Sequence, residues 1–165
     1  MRNFLALLFL SFSYGASFAS PPPFADIHLH FKWDQKEIIS ADEVVQKLRD
    51  NNIVLAMVAG MPPELALELS QAGGAWILPL FSPYKDAIHR DSWFTDKSVV
   101  EDAEKGLASG KYAGIGEVHV WANFGPRRDN AVFTGLLELA DKYQVPFMIH
   151  TEASSHAFLT PVCQA

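Results

Sequence analysis

Five apolar runs of strand length, beginning near residues 25, 53, 75, 113 and 145, alternate with segments that carry helix signals. Spacings of 28, 22, 38 and 32 residues each leave room for a strand, a turn and a returning helix, the unit from which parallel sheets are built. The first strand is expected over Ala25–Phe31, where apolar and polar side chains alternate. Ile53–Ala59 is continuously apolar, as in a strand covered on both faces. Trp76–Phe81, Ala113–Val120 and Val145–His150 supply the other three. Between them, Ser40 or Asp42 caps a helix through Arg49 with Val44, Val45 and Leu48 inward. Pro62-Pro63 opens the next helix and Gly73-Gly74 ends it. Helices over Ser98–Ser109 and Asn130–Tyr143 complete the alternation.

Two parallel architectures compete for this pattern. A doubly wound sheet places a glycine-rich phosphate turn after its first strand, but Lys32-Trp33-Asp34 stands there instead. In a (β/α)8 barrel the chemistry gathers at the C-terminal strand ends. His30, Glu117 with His119, and His150 occupy those ends, so the barrel is the expected fold class, α/β of TIM-barrel type. Such a barrel takes about 250 residues. Residues 24–165 are therefore expected to be its first five βα units, an incomplete barrel ending after the fifth strand with two open edges.

Residues 1–19 read as a signal peptide, with Arg2, the apolar stretch Phe4 to Leu10, and small residues at Ser17 and Ala19. The product is expected to be exported, periplasmic or secreted, and no later run is long enough to span a membrane. Thirteen basic against 19 acidic residues give a formal charge of −6, and loss of Arg2 with the leader makes it −7. Nonspecific nucleic-acid affinity rests on phosphate neutralisation by Lys and Arg, so the charge favours a small-molecule substrate over nucleic acid. Cys163 is the single cysteine and forms no internal disulfide. Oligomeric state is not legible.

The chemistry-bearing residues begin with Asp26-Ile27-His28-Leu29-His30. Side chains two apart on a strand share a face, so His28 and His30 present two imidazoles together. Two neutral imidazoles can grip one divalent ion, with Zn–N distances of about 2.0–2.1 Å. A pair of satisfied core histidines is the plainer alternative. Asp26, one step lower on that face, is expected to be structural and to orient an imidazole by hydrogen bonding. Glu117 lies in Gly114-Ile115-Gly116-Glu117-Val118-His119, and an acid on a buried strand face is costly unless paired or metal-bound. His119 shares its face, with Ile115, as a ligand, a substrate-binding group or an orienting partner of Glu117. His150 closes the fifth strand. Arg127 could bind an anionic substrate group, although a solvated loop pair with Arg128 is the commoner explanation. His89 is expected on the surface. No Gly-x-Ser-x-Gly nucleophile motif occurs.

The order His28-x-His30, Glu117 and His150 at the ends of strands one, four and five resembles the amidohydrolase superfamily of metal-dependent barrels. Gly114-Ile115-Gly116-Glu117 is similar to the segment that carries the acidic ligand in TatD-like members. The resemblance covers roughly residues 24–152. It implies one or two divalent ions, zinc first with manganese or another ion as alternatives, held by His28, His30, Glu117 as a possible bridge, and His150. It also implies a strand-six histidine and a strand-eight aspartate that acts as ligand and base; neither strand is within these five units, so no catalytic base is assigned. The reaction implied is hydrolysis of an amide, ester or phosphoester bond by metal-activated water. The competing expectation is a non-catalytic metal-binding or structural fragment.

Overall fold

The computed structural model describes residues 22–120, 126 and 129–151. The leader over 1–19, Arg127, Arg128 and the segment after Thr151 lie outside the described residues. The chain runs β1 (Phe24–Lys32), α1 (Trp33–Lys36), α2 (Ala41–Asp50), β2 (Ile53–Met61), α3 (Glu64–Gly73), β3 (Ile77–Phe81), α4 (Ser98–Ala108), β4 (Gly114–Val120), α5 (Ala131–Tyr143) and β5 (Phe147–Thr151). Two single 3-10 turns, His89–Asp91 and Trp93–Thr95, fill the long connection after β3.

Local chemistry sets these boundaries. Ser40 accepts the Glu43 backbone N–H while Glu43 bonds back to the Ser40 N–H, a reciprocal cap that starts α2. Asn130 caps α5 through the N–H groups of Val132 and Phe133. Each expected strand and helix is present within one to three residues at its ends. The short α1, capped by Gln35 onto the Lys32 N–H, is an addition that the sequence pattern did not suggest.

All neighbouring strands are parallel, in the order β1-β2-β3-β4-β5. Each crossover advances the chain one strand in the same direction, as in a barrel, whereas a doubly wound sheet reverses at a switch point. Curvature follows from contact. Strands in a flat sheet lie about 4.8 Å apart, which would put β1 roughly 14 Å from β4. Yet His28 on β1 brings Nε2 to 3.1 Å from Glu117 Oε1 on β4. The five strands are therefore a curled portion of a (β/α)8 barrel.

Two apolar clusters cover the outside of this sheet. Phe31, Val45, Leu48, Ala66, Leu69 and Ile77 join β1, α2, α3 and the start of β3. Phe81, Trp93, Leu107, Ile115, Phe133 and Leu136 join the end of β3, the β3–α4 connection, α4, β4 and α5. A fully buried side chain such as Leu69 or Leu136 contributes about 1.5–3 kcal/mol through burial. Between the clusters β3 pairs with β4 only through Leu80↔Gly114 and Phe81↔Ile115. No helix among the described residues is long and apolar enough to cross a membrane.

Candidate metal centre

Glu117 is the centre of the site. Its residue is 3% exposed, and four imidazoles surround the carboxylate. His150 Nδ1 lies 2.7 Å and His28 Nε2 3.1 Å from Oε1; His119 Nε2 lies 3.2 Å and His30 Nε2 3.3 Å from Oε2. The expected ligands His28, His30, Glu117 and His150 are brought together, and His119 stands among them. His119 and His150 are direct cross-strand partners of β4 and β5, with ring centroids 4.8 Å apart.

Local irregularity aims these groups. The β1–β2 register shifts between Asp26 and Leu29, around His28, and the β4–β5 register shifts between Ile115 and Val118, around Glu117. Such shifts re-aim side chains and are frequent beside active sites. Gly116 permits the second: its φ is +139°, and a Cβ there would come within 2.6 Å of the Met148 Cβ. The shift also breaks the strict alternation expected of β4. Ile115, expected on the face of Glu117, instead belongs to the apolar cluster that holds Val118 and Val120. Asp26 differs as well: its carboxylate accepts the His28 backbone N–H at 3.0 Å rather than reaching an imidazole. The shifted backbone presents that N–H two residues away.

Burial by itself would raise the pKa of the Glu117 carboxyl. Hydrogen bonds from His119, His30 and His150 outweigh that effect and hold it well below the usual carboxylate range. The group is thus a buried carboxylate kept ionised by imidazoles. His28 and His30 Nε2 are 3.1 Å apart. Two ligands on one ion with bonds of about 2.1 Å at 90–109° stand roughly 3.0–3.4 Å apart, so this spacing suits a shared cation. Two trios, His28/His30/Glu117 and Glu117/His119/His150, each keep their donor atoms within 4.8 Å of one another and share the carboxylate. A cavity of about 10 Å³, lined in part by His30, Glu117 and His119, adjoins them, and one water needs about that volume. Nitrogen and carboxylate donors of this kind fit a divalent metal.

Two residues from the end of β3 line the same cavity and were not singled out by sequence: Ser82 and Tyr84, both about 2% exposed. Ser82 Oγ donates to the Gly60 carbonyl, tying β3 to β2. Tyr84 Oη accepts the backbone N–H of His119 at 2.7 Å. Burial pushes the Tyr84 hydroxyl well above the ordinary phenol range, partly offset by that N–H and reinforced by Glu117, so it stays neutral. The available signal was positional: Ser82-Pro83-Tyr84 directly follows β3, and the next two strands, β4 and β5, both end in site residues.

His89 lies away from the cluster and is not fully exposed. Its Nε2 is 3.2 Å from Asp96 Oδ2 and its Nδ1 accepts the Lys85 N–H at 3.3 Å, so it braces the β3–α4 connection. Arg127 lies outside the described residues.

A family model described as TatD related DNase matches residues 25–163, which takes in every residue of the cluster. No curated protein shows a significant match to the chain.

Proposed function

The chain belongs to the TatD-related DNase family, metal-dependent hydrolases on an amidohydrolase-type barrel, and from that premise we propose that its cluster serves phosphodiester hydrolysis on DNA. The observation that carries the reading is the convergence of four imidazoles on one buried, ionised carboxylate at the C-terminal strand ends. His28, His30 and Glu117 would hold one divalent ion, zinc or manganese, and Glu117, His119 and His150 a second. Such an ion supplies Lewis acidity toward a phosphoryl oxygen and lowers the pKa of water toward about 7.

The protein's own groups have distinct parts. Glu117, ionised and buried, forms the negative floor that makes the site selective for cations. His28 and His30, with side chains 50% and 35% exposed, form its open wall, where a phosphate would enter. Of the amide, ester and phosphoester bonds expected from the sequence, the family description favours the last. The formal charge of −6 bears on nonspecific affinity for nucleic acid along the surface. A phosphate drawn to site-bound cations does not need a basic surface. An exported location, expected from residues 1–19, would make extracellular or periplasmic DNA the substrate.

The test is a cleavage assay on the purified full chain, with labelled single- and double-stranded oligonucleotides beside activated ester and amide substrates. Mn2+-dependent DNA cleavage, abolished by chelator and reduced on the order of 100-fold or more in Glu117→Gln, is expected. Ester or amide turnover without DNA cleavage would overturn the substrate, and full metal content in Glu117→Gln would overturn the centre.

A further inference from the structure

Tyr84 is nearly inaccessible, on a connection that contributes no candidate ligand, and yet it is bound to the cluster in two ways. Its hydroxyl accepts the His119 backbone N–H at 2.7 Å, and its ring lies 5.3 Å from the His119 ring at an interplanar angle of 33°. Trp93 packs against it edge-on at 6.4 Å and 80° and is 1% exposed. The chain of contact runs from the core through Trp93 and Tyr84 to His119, and from His119 to Glu117.

The position of that hydrogen bond matters. The β4–β5 register shift lies between Ile115 and Val118, immediately before His119. A buried N–H needs a partner, and one left unmet costs about 1–3 kcal/mol. Tyr84 supplies an acceptor from the β3–α4 connection, so the backbone carrying His119 is held from beyond its own strand pair at the point where β4 leaves regular pairing.

Resting on the metal reading of the cluster, we propose that Tyr84 is a positioning residue for the Glu117/His119/His150 trio and leaves the His28/His30 side untouched. The hydroxyl fixes the His119 backbone and the ring face limits rotation of the imidazole. His28 and His30 stand on β1, and among the described residues no hydrogen bond or ring contact joins either of them to Tyr84.

Two measurements on the full chain test this, each made on wild type, Tyr84→Phe and Trp93→Phe. The first is hydrogen exchange of the His119 amide in the metal-free protein by NMR. The second is Mn2+ titration followed by electron paramagnetic resonance, which resolves two successive affinities. Tyr84→Phe is expected to speed His119 exchange at least tenfold relative to neighbouring β4 amides. It should weaken one Mn2+ affinity about tenfold and leave the other within twofold, the size typical for loss of a group that orients a ligand. Trp93→Phe, which disturbs the same packing and keeps the hydroxyl, should show neither selective change. Unchanged His119 exchange, equal loss at both ions, or the same selective loss in Trp93→Phe would overturn the proposal. Absence of Mn2+ uptake by the wild type would overturn the metal reading instead, and the exchange measurement would still decide whether Tyr84 holds His119.

Discussion

The two walls of the metal cluster are built on opposite principles. On the β1 side, His28 and His30 stand on the first strand of the described sheet, half and one-third exposed, above the cluster of Phe31, Leu69 and Ile77. On the β4 side, Glu117 is buried and His119 partly buried, on the strand whose Ile115 joins the cluster of Phe133 and Leu136. Between the two halves β3 makes only two register pairs with β4, and a groove of about 610 Å³ opens outside it between α3 and α4. The contacts of His28 and His30 with Glu117 thus span the sheet where its strand pairing is shortest. One side presents two partly exposed imidazoles, the other is anchored by a buried carboxylate, and a cation between them would join two separately packed halves.

The largest expected effect tests whether the halves are separate. Leu69→Ala and Leu136→Ala each remove a fully buried side chain from one cluster and should cost about 2–5 kcal/mol. Hydrogen exchange should rise in α2 and α3 for the first and in α4 and α5 for the second, and uniform loss across both halves would break the distinction. Next comes the effect of metal. At about one hundred times its dissociation constant, Mn2+ or Zn2+ should raise the unfolding free energy by about 2.7 kcal/mol in urea titrations. With His28→Ala and His30→Ala together, the gain should shrink and protection should be confined to the β4–β5 half. Equal gains in the two proteins would mean that no ion bridges the seam.

The smallest effect lies in the β3–α4 connection. Asp96 accepts from Lys85 at 2.7 Å and from Ser98, and these bonds hold its carboxyl below the usual range against a small opposing effect of burial. A depressed folded pKa means that the unfolded chain binds more protons. The stability from Asp96 is therefore fully present above the ordinary carboxylate pKa of about 3.9 and is lost as pH falls below it. Asp96→Asn should cost about 1 kcal/mol or less at pH 7. The difference from wild type should narrow at pH 3 in urea titrations; an unchanged gap would show that its charge plays no part.

Much of this was legible from sequence. The cap at Ser40, the proline pair before α3 and the apolar runs act locally, so the elements stand close to where their residues imply. The spacing of His28 and His30 likewise follows from strand geometry alone. Less visible were the register shifts at His28 and Glu117, because a shift depends on the partner strand and leaves no local signature beyond Gly116. The contacts of Asp26 and Tyr84 were hidden for the same reason: one follows from a displaced backbone, the other joins residues 35 apart.

What the sequence determined by itself was the alternation of strands and helices and the chemical type of the site, since periodicity and donor chemistry reside in the residues. What only the tertiary structure decided was that four imidazoles from three strands meet on a single carboxylate. That convergence depends on the curl of the sheet and its two register shifts, which arise from packing between strands and cannot be read along any one of them.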